Sequence, residues 1–209
     1  MTRSIPGPTI RLAVVAALVL GLAIGLAGCG GSKTSSTPVA PVTTPAAPTA
    51  KAQLALAQSS LSTTAPDAKL LLVAAGSAIT PTSPPEWQYL FGSPKTGVTY
   101  AVLIQGGKAT SMRYGTAQLS KKDWDAVPGP DQWKVDSDAA HTKALSVYPG
   151  ATPESPYIIG FVTFIPPSAK NVKTPAMTWS ISFDPTTKGS SPTSTVQVNA
   201  ETGAAGFAK

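Results

Sequence analysis

Alternation of apolar and polar residues is the clearest pattern in the second half of the chain. Trp179, Ile181 and Phe183 are separated by single serines, so their side chains fall on one face of an extended strand. A similar apolar row occurs earlier in the chain, at Val98, Tyr100, Val102 and Ile104. Both segments are predicted to be antiparallel strands with one buried face.

Two further segments are apolar on both faces. They are Leu70–Ala74 and Tyr157–Ile165, in which bulky apolar residues follow one another without alternation. Strands of this kind are usually covered on both sides. We expect a helix on one face of each strand and the other half of the chain on the second face.

An alanine-rich amphipathic stretch and a proline precede each of these strands. The two stretches predict helices over Ala52–Leu61 and Asp138–Val147. Asp136 or Ser137 is a suitable N-cap for the second helix. The order helix, strand, strand, strand therefore occurs twice along the chain.

A Trp-x-x-x-Phe strand opens the second part of each copy, at Trp87–Phe91 and at Trp179–Phe183. A turn with proline and glycine follows in both copies, and then a further strand. The fold predicted from this repetition is α+β, with two repeats of one helix packed on a three- to four-stranded antiparallel sheet. The repeats are assigned to residues 51–118 and 119–209.

Three segments of the second copy resemble a PepSY-like domain. They are Trp133–Ala140 with the helix after it, the Trp-x-x-x-Phe strand, and the closing Val196–Gly203 segment, in which Asn199 replaces the usual aspartate. The resemblance covers residues 133–206, and a weaker one covers 51–115. It implies an extracytoplasmic, non-catalytic module with a protease-inhibitory or regulatory role, of a kind often found in tandem on lipoproteins.

The N-terminus has the three regions of a secretory signal. Arg3 and Arg11 precede an uncharged apolar run, Leu12–Ala27, and a small-residue site follows. The site, Leu26-Ala27-Gly28-Cys29, resembles the lipobox of bacterial lipoproteins, which implies that residues 1–28 are removed and that Cys29 is acylated. The protein would then be lipid-anchored on the extracytoplasmic face of the cell membrane.

The N-terminal segment has two alternative interpretations besides a lipobox. One is a simple signal peptide cut elsewhere, and the other is an uncleaved membrane anchor. The anchor is disfavoured because the apolar run is shorter than the ~20 residues that span a bilayer. An unpaired cysteine in an exported protein also needs an explanation, which acylation of Cys29 supplies.

Residues 29–50 are predicted to be a disordered tether. They contain prolines at positions 38, 41, 45 and 48 and almost no bulky apolar side chain. Such a segment cannot bury enough apolar surface to offset the entropy of ordering it. As an extended proline-rich chain it would reach up to about 60 Å from the bilayer.

Composition excludes several classes of function. After removal of the signal the chain has 14 basic and 10 acidic residues, scattered rather than clustered, which does not indicate nucleic-acid binding. The chain has one histidine and one cysteine. Neither a Cys/His dyad nor a His-rich metal site is therefore expected, and no catalytic residue, metal or cofactor is assigned.

The isolated acidic and histidine residues have simple structural interpretations. Five aspartates between positions 123 and 138 do not follow calcium-loop spacing, so turn and cap roles are favoured over a metal site. His141 lies inside the second predicted helix without a nucleophile motif. We expect it at the surface or the boundary of that helix.

Trp124 and Trp133 are the candidate binding surface. Both lie in the connector between the repeats, among charged and turn residues, where a core strand or helix is not expected. Large exposed aromatic side chains mark binding patches. The alternative is that both rings fold back and seal the join between the repeats, because tryptophan is highly buried on average.

Two functions remain open. The first is a membrane-anchored, non-catalytic binding or regulatory module that engages an envelope protein, such as a protease, through a sheet edge or a groove. The second is a structural or carrier lipoprotein that holds a small ligand or an anionic polymer between the repeats. An open strand edge would favour the first function, and a deep apolar pocket the second.

Replacing Cys29 with serine is expected to abolish acylation and to release or misprocess the protein. The lipobox resemblance implies that the acyl chains are attached through the Cys29 sulfur, and without them the protein loses its stable membrane anchor. Membrane fractionation and mass spectrometry of the mature N-terminus would measure both effects. Unchanged membrane retention of Cys29→Ser would contradict the lipoprotein prediction.

Overall fold

One eight-stranded antiparallel sheet forms the centre of an α+β fold. A computed structural model describes residues 48–83, 85–165, 176–183 and 194–208. The strands follow the spatial order β4-β3-β2-β1-β5-β6-β7-β8. In chain order they are β1 (Lys69–Ala75), β2 (Trp87–Gly92), β3 (Val98–Gln105), β4 (Lys108–Thr116), β5 (Tyr157–Val162), β6 (Thr178–Phe183), β7 (Thr195–Asn199) and β8 (Ala205–Phe207).

Three α-helices accompany the sheet. They are α1 (Ala50–Ser59), α2 (Lys121–Asp125) and α3 (Ser137–Val147), and a short 3-10 turn spans Pro130–Gln132. Each half of the chain thus places a long helix before four consecutive strands. Among the described residues, no helix is long and apolar enough to cross a membrane.

The two halves join through their first strands. β1 and β5 pair antiparallel, with Val73 opposite Phe161. The expectation that each half covers the second face of the other is wrong, because the halves lie side by side in one sheet. A free strand edge exposes unpaired backbone groups, and pairing β1 with β5 satisfies two such edges at once.

One face of the sheet carries α1, α3 and the main core. Leu54 and Ala57 of α1, and Ala140 and Ala144 of α3, are buried against it. The alternating rows predicted from the sequence supply the sheet side of this core. Its largest fully buried side chains are Trp87, Trp133, Trp179, Tyr89, Phe91, Phe161, Phe183, Leu61, Ile159, Ile181, Val73 and Val102.

The N-termini of α1 and α3 meet at Asp136. Its Oδ1 accepts hydrogen bonds from the backbone N–H of Ser137 (2.7 Å) and of Lys51 (3.0 Å). The Ser137 hydroxyl accepts from the Ala50 N–H at 3.0 Å. Asp136 was predicted as a cap for the second helix, and that role is confirmed. The carboxylate also satisfies an orphan N–H donor of α1.

A second, smaller cluster covers one end of the opposite face. Trp124 of α2 and Val127 pack there with Ala117, against Leu71 and Phe164. The indole lies directly on Gly92 of β2, where a side chain would collide with it. The two-sided apolar character of β1 therefore has two causes: the main core on one face and this cluster on the other.

The predicted element bounds agree closely with the structure except at the edges. The strand predicted over Leu70–Ala74 lies within β1, and the predicted helices begin within two residues of α1 and α3. The strand predicted over Tyr157–Ile165 begins as β5 does but ends earlier, at Val162. β4, β8 and α2 were not predicted. The segments assigned to the signal, the lipobox and most of the tether, residues 1–47, lie outside the described residues. The prediction that the tether extends to residue 50 is wrong, because Thr49 caps α1 and Ala50 is buried at its start.

Gly92→Ala is expected to lower the free energy of unfolding by about 1–3 kcal/mol, the usual cost of overpacking a filled site. A Cβ at this position would lie 2.5 Å from Trp124 Cη2 and 3.0 Å from Leu71 Cδ1. Urea unfolding would measure the change. Gly206→Ala is the matched control, because a Cβ there meets nothing within 4 Å. Equal stability of the two variants would contradict the packing of Trp124 on Gly92.

Candidate binding interface

The long free edge of the sheet is strand β4. β4 pairs with β3 on one side, and no other described strand pairs with its second side. All of its nine residues are exposed except Ala109 and Gly115, which are half-buried. The opposite edge is different, because β8 has only three residues. A short edge strand is one feature by which proteins prevent edge-to-edge pairing. β4 lacks this feature, because it is nine residues long.

The turn before β4 fixes which backbone groups face outward. Gly106 and Gly107 both have positive φ, 55° and 73°, as a two-residue hairpin turn of type I′ requires. Such a turn closes on a residue pair that exchanges both hydrogen bonds, here Gln105 and Lys108. Hydrogen-bonded and non-hydrogen-bonded pairs then alternate along the ladder.

This alternation directs the backbone N–H and C=O groups of Ala109, Ser111 and Arg113 away from β3. The pairing between β3 and β4 is regular from Lys108 to Arg113, and a bulge interrupts it only beyond that point. The outer edge therefore offers a regular row of donors and acceptors. Met112 and Tyr114, with 52% and 45% of their surfaces exposed, lie on the same strand.

Charge is distributed unevenly around this edge. α1, β2, β3 and β4 contain three basic residues, Lys51, Lys108 and Arg113, and no aspartate or glutamate. Lys51 is engaged elsewhere, because its Nζ donates to the carbonyl of Trp133. The two remaining cations both lie on β4 and are exposed.

Trp133 is buried at the join of the two halves. Its ring contacts Phe161 and Trp179, with centroid distances of 4.8 and 5.5 Å. The indole N–H groups of Trp133 and Trp179 both donate to the Val135 carbonyl, at 2.7 and 2.8 Å. This ring is 1% exposed and offers no surface to a partner.

Trp124 is buried as well, with 5% of its surface exposed. Lys69 Nζ donates to its carbonyl at 2.7 Å, which ties α2 to the start of β1. The expectation that Trp124 and Trp133 form an exposed binding surface is therefore wrong. Both rings instead fill the join between the halves, because partners distant in sequence surround them.

His141 is half-buried on α3. Its ring stacks on Tyr157 of β5, with centroids 3.8 Å apart and planes 10° apart, and Phe183 lies beside it. Nε2 is buried and has no hydrogen-bond partner. Burial lowers the pKa of His141, while burial, aided by the Asp138 charge, raises the pKa of Tyr157 to about 12. His141 therefore lies on α3 at the boundary between the core and the surface, as expected from the sequence.

The aspartates of the connector serve local structure. Asp123 closes a capping box with Ser120 at the start of α2. Asp125 accepts a hydrogen bond from Lys121 at 2.6 Å, and this bond lowers the pKa of the Asp125 carboxyl. Within the described ranges, no group of three or more His, Cys, Asp and Glu side chains could hold a metal ion.

Two concavities of the described part of the chain bear on the carrier function. One, of about 10 Å³, lies at the join between the halves, next to Trp133 and Phe161. It has room for no more than about one water molecule. The other is an open groove of about 300 Å³ beside the end of α1, lined by Leu61, Pro66 and Phe91 among others. It lies within the first half rather than between the halves.

No protein-family model, curated protein or solved structure matches this chain. The free edge of β4 is thus assigned as the candidate interface on geometry alone. Sequence reasoning missed it, although Gly106-Gly107 followed by a mixed polar segment is a hairpin signal that could have indicated a further strand.

The protein is expected to lose stability as the pH falls below about 6.5, the ordinary pKa of histidine. The folded state favours neutral His141, because its folded pKa lies below the unfolded one. Acidification through this window therefore binds protons to the unfolded chain first. His141→Phe keeps an aromatic ring against Tyr157 and removes the titration.

Urea unfolding at about pH 7.5 and about pH 5.5 would measure this effect, because the interval brackets the histidine pKa and lies above that of ordinary carboxyl groups. The wild type should show a larger loss of stability than His141→Phe over this interval. An equal loss in both proteins would contradict the role assigned to His141.

Proposed function

We propose that this protein is a non-catalytic binding or regulatory module, lipid-anchored on the extracytoplasmic face of the membrane. Its edge strand β4 takes up an extended segment of an envelope protein. The observation that carries the proposal is the free edge of β4, with outward backbone groups at Ala109, Ser111 and Arg113.

Strand addition suits such an edge for physical reasons. An extended segment that pairs with β4 gains a ladder of backbone hydrogen bonds, and alternate side chains then supply specificity. The ladder is regular over Lys108–Arg113, a length comparable to an average strand. Lysine and a bulge on an edge strand also limit unspecific pairing. Lys108 and the bulge near Tyr114 stand at the two ends of this regular stretch and leave its middle open.

The sequence supports the cellular context of the proposal. The Leu26-Ala27-Gly28-Cys29 site would place an acyl anchor at the start of the mature chain, and the part of the predicted tether before Pro48 would extend the fold away from the bilayer. The likeness of each half to a PepSY-like domain supports a regulatory role, with an envelope protease as one partner class. In this interpretation the two halves are repeats that share a single sheet.

The alternative carrier function has less support. It would need a cavity between the halves, where the concavity of about 10 Å³ beside Trp133 and Phe161 is far smaller than a ligand pocket. The groove of about 300 Å³ beside α1 lies at the lower limit of ligand pockets and is open to solvent. Binding at the strand edge is therefore the function that we propose.

Photo-crosslinking in intact cells tests this proposal. A photoreactive residue at Thr110, on the exposed edge strand, should form an adduct with an envelope protein. Ser111→Pro should abolish that adduct, because proline removes an outward N–H donor and places its ring in the path of an added strand. Ser111→Ala keeps the donor and should retain the adduct.

Two controls test whether the adduct is specific to β4 and whether Ser111→Pro is folded. A photoreactive residue at Thr142, exposed on α3, should not form the same adduct. Circular dichroism and urea unfolding should show that Ser111→Pro remains folded, since the proline removes no bond to β3. An adduct that persists in Ser111→Pro, or that forms equally from Thr142, would refute binding at the β4 edge.

A further inference from the structure

We infer that the segment taken up by β4 is acidic and carries two carboxylates five residues apart, one for each face of the sheet. This inference rests on the proposed function and names its partner class. It comes from the charges on the edge and from the faces to which they point.

Lys108 and Arg113 are the cations that an added strand would meet. They are five positions apart, so their side chains point to opposite faces of the sheet. At the rise of an extended chain, the two residues lie about 17 Å apart along the strand. Lys108 shares its face with Thr110 and Met112, while Arg113 shares the helix-bearing face with Ala109 and Ser111. A strand that pairs with β4 places its own side chains in the same alternation.

An acidic residue opposite each cation therefore requires an odd spacing of five in the bound segment. A spacing of four would put both carboxylates on one face and leave one cation without a counter-ion. The residues between them would face Ala109, Thr110, Ser111 and Met112, which are small, polar or apolar. Uncharged residues with high strand propensity fit those positions.

The surroundings of the edge strengthen the preference for acidic residues. The elements next to the edge, α1, β2 and β3, contain no aspartate or glutamate. A glutamate side chain does lie at the approach to β2, where Glu86 accepts a hydrogen bond from Gln105 at 2.6 Å. No salt bridge of either β4 cation occurs among the described residues.

A second copy of this chain is a poorer occupant. Pairing two β4 strands would bring four cations and no anion into one two-stranded contact, and like charges across a strand pair are destabilising. An acidic segment of a different protein meets the same edge with complementary charge, which also speeds association.

Peptide binding to the full chain in detergent tests the spacing directly. The probe is a labelled, end-capped peptide of sequence Thr-Glu-Val-Ser-Thr-Val-Glu-Thr, with glutamates five apart. One control moves the second glutamate to a spacing of four, and another replaces both glutamates with lysine. Fluorescence anisotropy at about 50 mM and about 500 mM salt would report affinity and its screening.

Charge-reversed protein supplies the matched comparison. Lys108→Glu/Arg113→Glu should weaken binding of the five-spaced peptide roughly tenfold and should favour the lysine peptide. Lys134→Glu/Lys143→Glu carries the same change in net charge on exposed positions of the second half and should bind as the wild type does. Lys108→Gln/Arg113→Gln should show an intermediate loss.

The outcomes separate this inference from the proposed function. Equal binding of the acidic and lysine peptides, or of both spacings, would overturn the acidic five-residue motif while strand addition stands. Absence of peptide binding would overturn it too, and the Thr110 crosslink would still test the edge independently.

Mass spectrometry of the Thr110 adduct completes the test. A crosslinked segment with two carboxylates five apart supports the inference, whereas a basic or uncharged segment, or β4 of a second copy, overturns it. Loss of the adduct in Ser111→Ala as well as in Ser111→Pro would instead count against the proposed function.

Discussion

The antiparallel pairing of β1 with β5, backed by a tight aromatic cluster, makes the two halves one protein. Phe161 of β5 sits opposite Val73 of β1 and stacks on Trp179 at 4.7 Å. Trp133 packs against both rings, and the two indole N–H groups converge on the Val135 carbonyl. Each such hydrogen bond contributes about 1 kcal/mol, but leaving either buried donor unpaired would cost more. The connector is therefore a structural part of the join.

Joining two four-stranded meanders through their first strands has a necessary topological result. The fourth strands, β4 and β8, become the outer edges of the sheet. The two edge strands differ in length, since β8 has three residues whereas β4 has nine. The accessible edge therefore follows from the same strand pairing that joins the two halves of the core. An interface on β4 lies on a rigid scaffold, which lowers the entropic cost of binding.

Sequence reasoning succeeded where burial dictates the pattern. The row Trp179, Ile181 and Phe183 could be predicted because one face of β6 is fully buried. Alternation did not reveal β4, because an exposed edge strand has no need to alternate apolar and polar residues, and only the Gly106-Gly107 turn signals it. The pairing of β1 with β5 could not be predicted from the sequence, because strand pairing is made by backbone groups that every residue carries. Trp124 and Trp133 could be interpreted as a binding surface because their local surroundings in the sequence are polar. The structure shows the alternative considered from the sequence, in which both rings are buried at the join, and the neighbours that bury them are distant in sequence.

The way in which the chain enters the fold also has a mechanical consequence. The Trp87 indole N–H donates to the Pro48 carbonyl at 2.9 Å, and the Tyr89 hydroxyl donates to the Ala50 carbonyl at 2.6 Å. Both donors belong to β2, an interior strand held by neighbours on each side. A pull along the chain from before Pro48 is thus resisted by the body of the sheet as well as by the first turn of α1. Neither of these two hydrogen bonds involves the edge strand β4, so the chain entry is held by the interior of the sheet and not by its free edge.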